Sequence, residues 1–138
     1  MSQFRFHHPI EVRYGDLDPQ GHVNNAKYLT YMEQARVAYI KHLGLWKGGT
    51  FLDFGIILAD IQITYHAPIL FGGTPRVWVR ISRLGNKSMR MDYRLDDSNG
   101  AGDYATGTSV IVAYNYNDGQ TIPIPETWRQ VIGEFEGL

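Results

Sequence analysis

The segment from residue 13 to residue 28 concentrates the side chains that can carry out acid–base chemistry. It reads RYGDLDPQGHVNNAKY. Its candidate groups are two carboxylates, one imidazole and two amides, namely Asp16, Asp18, His22, Asn24 and Asn25. A carboxylate, an imidazole and a helix start within about ten residues are typical of an acyl-transfer or hydration site.

Asp18 is the candidate catalytic group of this turn. An acyl carbonyl over the helix start would meet backbone N–H groups that lack intrahelical partners at the positive end of the helix dipole. One such donor to an oxyanion is typically worth about 10²–10³-fold in rate. Asp18 can attack the carbonyl or activate a water, and His22 can polarise the same oxygen or orient that water. The spacing leaves the roles of nucleophile and general base both open.

Each of these residues also has a structural interpretation. The two aspartates and Pro19 are typical turn formers. His22 can simply hydrogen-bond to the loop, and Asn24 or Asn25 can be the N-cap of the helix. A metal site is a further interpretation, but no His or Cys cluster surrounds the turn to complete a ligand set. We therefore expect neither a metal nor a cofactor.

Length and composition indicate a single domain over residues 1–138. An apolar fraction of 43% and a charged fraction of 20% are ordinary for a globular chain. A net charge of −1 without a basic block argues against nucleic acid as a partner. The absence of cysteine excludes disulfides and a thiolate nucleophile. Without a signal-like N-terminus or a membrane-length apolar run, we expect a cytoplasmic protein that makes no membrane contact.

Hydrophobic periodicity predicts the elements that present the turn. Residues 4–14 alternate, which predicts a strand with a bend or a free edge at Pro9. Its predicted inner face consists of Phe4, Phe6, Ile10, Val12 and Tyr14. Residues 26–43 repeat apolar side chains at three- and four-residue spacing, which predicts an amphipathic helix that ends at Gly44.

Two features of this helix and of the loop after it have alternative interpretations. Glu33 and Arg36 stand one turn apart and most simply pair on the solvated side, with an active-site carboxylate as the alternative for Glu33. The loop 44–55 combines glycines with bulky apolar groups. It can cap an apolar ligand or close one end of the core.

Four further strands are predicted at 57–65, 76–81, 89–96 and 104–114, followed by a short helix at 126–135. In the first of them Ile57, Ala59 and Ile61 are predicted to share a face. One long helix and five strands can bury each other only if the sheet curls around the helix. A curled sheet still has an unpaired edge that a second copy can cover, so we expect a homodimer.

The segment GDLDPQGHVNNAKYLTYMEQAR resembles hotdog-fold thioesterases of the 4-hydroxybenzoyl-CoA thioesterase family, whose motif runs G-D-x-D-x-x-G before a helix. It is also similar to the D-L-D-x-N-Q-H-V-N-N turn of plant acyl-ACP thioesterases. The predicted element order extends the likeness across essentially the whole chain. The resemblance implies an α+β hotdog fold of order β-α-β-β-β-β, in which a five-stranded antiparallel sheet wraps one long central helix, with a short C-terminal helix.

Carried over by position, the resemblance assigns the family's nucleophile or general base to Asp18. The backbone N–H that polarises the thioester carbonyl falls at Asn25. The asparagine and histidine of the acyl-ACP motif fall on Gln20 and His22, so the glutamine departs from that pattern. Gly21 keeps the form of the bacterial CoA thioesterases.

The resemblance further implies hydrolysis of an acyl-CoA to a free acid and CoA, in a homodimer or homotetramer with active sites at the subunit interface. The CoA nucleotide would lie near the third and fourth strands, where cations suit phosphates. The candidate substrate-binding residues there are Arg83, Lys87, Ser88 and Arg90. Two alternatives stay open: a hotdog hydratase or dehydratase of enoyl or hydroxyacyl thioesters, and a non-catalytic acyl-CoA-binding domain.

Overall fold

The computed structural model of the chain describes residues 3–100 and 102–138. Its strands are β1 (Phe6–Pro9), β2 (Ile56–Tyr65), β3 (Pro75–Leu84), β4 (Ser88–Asp97), β5 (Asp103–Asn115) and β6 (Gln120–Thr121). Its helices are α1 (Asn25–His42) and α2 (Glu126–Glu136), with 3₁₀ turns at Tyr14–Asp16 and Phe51–Asp53.

The strands form one antiparallel sheet in the order β1-β3-β4-β5-β2, and the two-residue β6 pairs with β5. This arrangement confirms the predicted α+β hotdog fold and its order β-α-β-β-β-β, with β6 as an addition that periodicity did not indicate. β1 and β2 lie at the two edges of the main path, and β1 packs against α1 as well as pairing with β3.

Helix α1 has the apolar face that its period predicted. Its fully or nearly fully buried apolar side chains are those of Tyr28, Tyr31, Met32, Ala35, Tyr39 and Ile40. The N-cap is Asn24, whose side chain accepts the N–H of Ala26 at 2.9 Å, and Gly44 follows the helix with φ +75°. In the part of the chain that is described, no helix is both long and apolar enough to cross a bilayer.

Gly107 of β5 lies against a side chain of α1. A Cβ there would lie 2.8 Å from the carbonyl oxygen of Gln62 and 3.0 Å from Cε of Met32. A side chain larger than hydrogen at this position would collide with the Gln62 carbonyl and with Met32, so glycine leaves the space that Met32 of α1 occupies against β5.

The prediction of a strand over residues 4–14 was only partly right. Pairing with β3 covers only Phe6 to Pro9. Ile10 and Val12 are buried as expected, but Tyr14 is 83% exposed, so its predicted inward position was wrong. The chain leaves the sheet after Pro9 and enters a 3₁₀ turn at Tyr14, which ends the two-residue period.

The prediction that Ile57, Ala59 and Ile61 of β2 share a face was also wrong. A register shift between Leu58 and Asp60 leaves Ala59 without a partner on β5. Leu58 therefore lies opposite Ile111, which is a core residue, and Ile57 turns to the other face. An extra residue in one strand inverts the alternation because side chains repeat with a period of two.

The predicted Glu33–Arg36 pair is absent from the described residues. Arg36 is only 7% exposed and its guanidinium carbon lies 5.9 Å from the centroid of the Tyr93 ring. Glu33 is exposed. The pairing was wrong because Arg36 lies on the side of α1 that faces the sheet, whereas Glu33 points to solvent.

The loop 44–55 divides between the two roles considered for it. Phe54 is buried and stacks on Trp128 of α2, with ring centroids 4.1 Å apart, so this part closes one end of the core. Phe51 and Leu52 are 63% and 58% exposed. These exposed apolar groups remain available to a ligand or to a second copy.

Candidate active site

The carboxylate of Asp18 organises the turn before α1. Its Oδ1 accepts the backbone N–H groups of Gln20 at 2.9 Å and of His22 at 3.2 Å. The backbone N–H of Asp18 donates to the carbonyl of His22 at 2.7 Å, which closes the turn. Gly21 has φ +81°, a conformation that glycine adopts without strain. In the described residues Oδ2 accepts no hydrogen bond, so one carboxylate oxygen holds the turn and the other is free.

The turn is anchored to the loop that follows β2. Val23 donates its N–H to the carbonyl of Ile69 at 2.8 Å, and His22 forms an isolated bridge with Leu70. Leu70 and Phe71 are 54% and 60% exposed. Apolar surface therefore lies beside His22, as an acyl-binding site requires.

The first aspartate of the motif has a structural role. Asp16 is 3% exposed, and its Oδ2 accepts the N–H of Arg13 at 3.0 Å and the hydroxyl of Tyr31 at 2.8 Å. Burial alone would raise the pKa of Asp16, but these hydrogen bonds and the charges of Arg13 and Lys27 outweigh it and hold the pKa below its usual value. An ionised Asp16 thus fixes the turn to α1.

The start of α1 presents one open donor. The N–H of Ala26 is taken by the Asn24 side chain at 2.9 Å, and that of Lys27 by the Asn24 carbonyl at 2.8 Å. The N–H of Asn25 donates to no group within the described ranges. It lies at the positive end of the helix dipole, so it can receive a developing negative charge.

Tyr65 is a part of this site that sequence analysis missed. Its hydroxyl donates to the carbonyl oxygen of Asn25 at 2.9 Å, and its ring meets the buried ring of Tyr28 edge-on at 4.9 Å. Tyr28 in turn donates to the carbonyl of Ala67 at 3.2 Å and accepts the N–H of Ile69 at 3.2 Å. The two tyrosines therefore fix the first turn of α1 against the end of β2. No local sequence signal distinguishes Tyr65 from an ordinary strand residue.

Within one chain, the predicted catalytic residues and the predicted substrate-binding residues lie near opposite ends of strand β3. The turn with Asp18, His22 and Asn25 lies near the start of β3, because His22 forms a bridge with Leu70, five residues before β3 begins at Pro75. The expected CoA-binding group lies at the far end of β3 and on β4. Ten residues of β3 correspond to about 33 Å, so one chain does not bring the two groups together.

The predicted CoA-binding cations differ in whether other side chains of the chain already bind them. Lys87 Nζ donates to Oγ1 of Thr121 at 3.3 Å, and Arg90 Nε donates to Oδ1 of Asp92 at 3.2 Å. Arg83 is exposed and forms no hydrogen bond or ion pair with the described residues. Arg83 is therefore the cation of the group most available to a phosphate.

The described residues contain no group of three or more His, Cys, Asp or Glu side chains placed to hold a metal ion. The imidazole of His22 is half-buried, and its ring nitrogens bond to no part of the described chain. It is therefore available for a water or a substrate oxygen.

The comparison with known proteins identifies the family. The model of the Thioesterase-like superfamily matches residues 12–132. A thioesterase of Thermus thermophilus, solved with coenzyme A and zinc, is 34% identical with a TM-score of 0.87, covering 100% of this chain and 98% of that one.

Two curated relatives add to this comparison. The protein YsmA of Bacillus subtilis is 25% identical over 121 residues, covering 88% of this chain and 80% of that protein. The long-chain acyl-CoA thioesterase FadM of Escherichia coli is 29% identical over 79 residues, which is 57% of this chain and 60% of FadM. The chain belongs to the Thioesterase-like superfamily.

Proposed function

We propose that this chain hydrolyses an acyl-CoA thioester to a carboxylic acid and CoA, with Asp18 as its catalytic carboxylate. The observation that carries the proposal is that the two carboxylate oxygens of Asp18 have different roles. Two backbone N–H groups hold Oδ1, while within the described residues Oδ2 accepts no hydrogen bond and the N–H of Asn25, at the helix start after the turn, donates to no group. The similarity to FadM and to the CoA-bound Thermus thioesterase supports an acyl-CoA as the substrate.

In the proposed reaction the thioester carbonyl oxygen accepts the N–H of Asn25, which stabilises the negative charge that develops on it. As a general base, Asp18 takes a proton from a water while that water adds to the carbonyl carbon. The tetrahedral intermediate then breaks its C–S bond, and the CoA sulfur leaves with a proton. As a nucleophile, Asp18 displaces the sulfur to form an anhydride that water hydrolyses.

His22 has the supporting role in this proposal, since its free ring nitrogens can orient the attacking water. The reaction needs only a carboxylate, a backbone donor and water, so we propose that it requires no cofactor and no metal. Prolonged dialysis against EDTA should leave the rate unchanged. A rate that falls on chelation and returns with added zinc would overturn this part of the proposal.

We further propose that the active unit is a homodimer formed along β2. No strand of the described residues pairs with the outer edge of this ten-residue strand, and its residues Ile57, Leu58 and Tyr65 are 41%, 45% and 42% exposed. A long unpaired apolar edge is a template for a second strand. Antiparallel pairing of two β2 edges would place the Ile57 end of one copy beside Tyr65 of the other.

This dimer would resolve the separation between the two ends of the site. The β3–β4 hairpin lies at the Ile57 end of β2, because Ser88 pairs with Val112 and Val112 pairs with Ile57. The hairpin cations of one copy would then lie at the same end as the Asp18 turn of the other. We propose that Arg83, with Lys87, Ser88 and Arg90 around it, contacts the CoA phosphates bound to the neighbouring copy.

The test is thiol release from a panel of aryl-, short-chain and long-chain acyl-CoAs by the wild type and by Asp18→Asn. An asparagine side chain keeps the oxygen that accepts the two backbone N–H groups, so the turn should persist. We expect the variant to lose about 10²–10⁴-fold in kcat with an unchanged Tm.

A variant that retains the wild-type rate would exclude Asp18 as the catalytic group. Hydration of an enoyl-CoA without thiol release would instead identify the hydratase. Tight binding without turnover of any substrate would identify the binding domain.

A further inference from the structure

Arg36 is a buried cation for which the described residues supply no carboxylate partner. The residue is 7% exposed, and its Nε is fully enclosed and makes no hydrogen bond to the described residues. Its nearest specific contact is the ring of Tyr93, whose centroid lies 5.9 Å from the guanidinium carbon. None of the ion pairs among the described residues involves it. Buried charges are normally paired, so a partner from outside the chain is expected.

Glu33 is the complementary charge on the same helix. It is exposed and forms no ion pair within the described ranges. Glu33 is nine residues from His42, which places the two on opposite sides of α1 at about 100° per residue. The ring of His42 lies 5.1 Å from that of Phe6 on β1. Because β1 and β2 are opposite edges of the sheet, Glu33 faces the unpaired β2 edge.

Arg36 lies at the level of the middle of β2. The hydroxyl of Tyr93, the residue beneath Arg36, is 2.8 Å from Oγ of Ser109. Ser109 pairs with Ile61, which is next to the midpoint of β2. A twofold axis that pairs two β2 edges antiparallel passes near that midpoint, so this stretch of α1 faces its own copy across the axis.

We propose that Glu33 of each copy forms an ion pair with Arg36 of the other, giving two reciprocal pairs across the twofold axis. In an isologous interface, a contact from residue i to residue j is always accompanied by one from j to i. The pairing gives each buried Arg36 side chain a carboxylate partner, which the described residues of its own chain do not provide. The inference rests on the homodimer described under the proposed function, but not on the chemistry of Asp18.

Charge reversal tests the pairing by sedimentation equilibrium. Glu33→Arg alone leaves four cations at the axis, and Arg36→Glu alone leaves four carboxylates. We expect either change to raise the dimer Kd at least tenfold. In an equimolar mixture of the two variants, every pair in a heterodimer has opposite signs, so dimers should return with a Kd within a few-fold of the wild type.

The matched controls are Gln34→Arg and Gln34→Glu, because Gln34 is exposed one residue further along the helix. They should leave the Kd unchanged, alone or mixed. A pair formed within one chain would not favour heterodimers, so a mixture that stays monomeric would overturn the proposal.

Glu33→Arg is decisive even if Arg36→Glu fails to fold, since position 33 is exposed. An unchanged Kd for this variant would overturn the pairing.

In an Arg36→Met background, Glu33→Arg should cause no further loss of dimer affinity, because its partner is already gone. A further loss as large as in the wild-type background would contradict the proposal. A monomeric wild type would also overturn it. Thiol release measured on the same samples reports separately on the proposed hydrolysis.

Discussion

The hydroxyl of Tyr31 donates a 2.8 Å hydrogen bond to the carboxylate of Asp16, which lies fifteen residues earlier in the chain. Burial and the adjacent carboxylate both raise the pKa of Tyr31, so the hydroxyl keeps its proton and remains a donor. The same carboxylate accepts the backbone N–H of Arg13. The carboxylate of Asp16 therefore joins the entry of the turn that contains Asp18 to the helix that follows it.

Tyr31→Phe removes that donor and leaves a buried carboxylate short of a partner. We expect the free energy of unfolding to fall by about 1.5–3 kcal/mol, measured by urea denaturation, because a hydrogen bond to a charged group is lost. Tyr14→Phe is the control, since Tyr14 is 83% exposed and should change stability by less than about 0.5 kcal/mol. Equal effects of the two changes would contradict the structural role of Asp16.

The pKa of Asp16 predicts how stability depends on pH. Because its pKa is lower in the folded than in the unfolded state, the unfolded chain binds more protons in the window between the two values. The stabilisation by Asp16 is fully present above the unfolded pKa of about 3.9 and is lost as the pH falls through the folded pKa. The difference in unfolding free energy between the wild type and Asp16→Asn should therefore shrink from about pH 6 to about pH 3. A constant difference would rule out this linkage.

Asn25→Pro tests the backbone donor at the start of α1. Proline suits the first helical position, and Asn24 already has φ −58° and ψ 138°, which the residue before a proline can adopt. The variant should fold, yet lose about 10²–10³-fold in kcat because the N–H is gone. Asn25→Ala keeps the N–H and should retain nearly the full rate. Similar rates for the two variants would exclude this N–H as the oxyanion donor.

Arg83→Ala tests the proposed CoA contact. Losing a charge-assisted bond to a phosphate should raise KM for an acyl-CoA by about tenfold. The KM for the corresponding acyl-pantetheine, which lacks the nucleotide, should stay unchanged. Arg94 serves as the control position because it already pairs with Asp103 at 2.7 Å. A parallel rise for both substrates would indicate a general disturbance of the fold instead.

Local sequence patterns were sufficient to predict the main helices and strands and their order along the chain. The helix period over residues 26–43 and Gly44 as the stop were confirmed, and of the two candidate N-caps, Asn24 and Asn25, the cap is Asn24. Each of these features depends on residues within a few positions of one another. The order of the helices and strands along the chain, including the short C-terminal helix, followed from the same kind of pattern. The motif around Asp18 likewise indicated the thioesterase superfamily before any fold was known.

Only the tertiary structure decided which particular side chains are buried and which partners they contact. The buried position of Asp16 depends on Tyr31, and the contact of Tyr65 with Asn25 joins residues forty positions apart. Arg36 was expected in solvent and is enclosed, since helix spacing alone does not say which side meets the sheet. Strand and helix periods are local properties of the chain, whereas burial and partners depend on contacts between segments far apart in it.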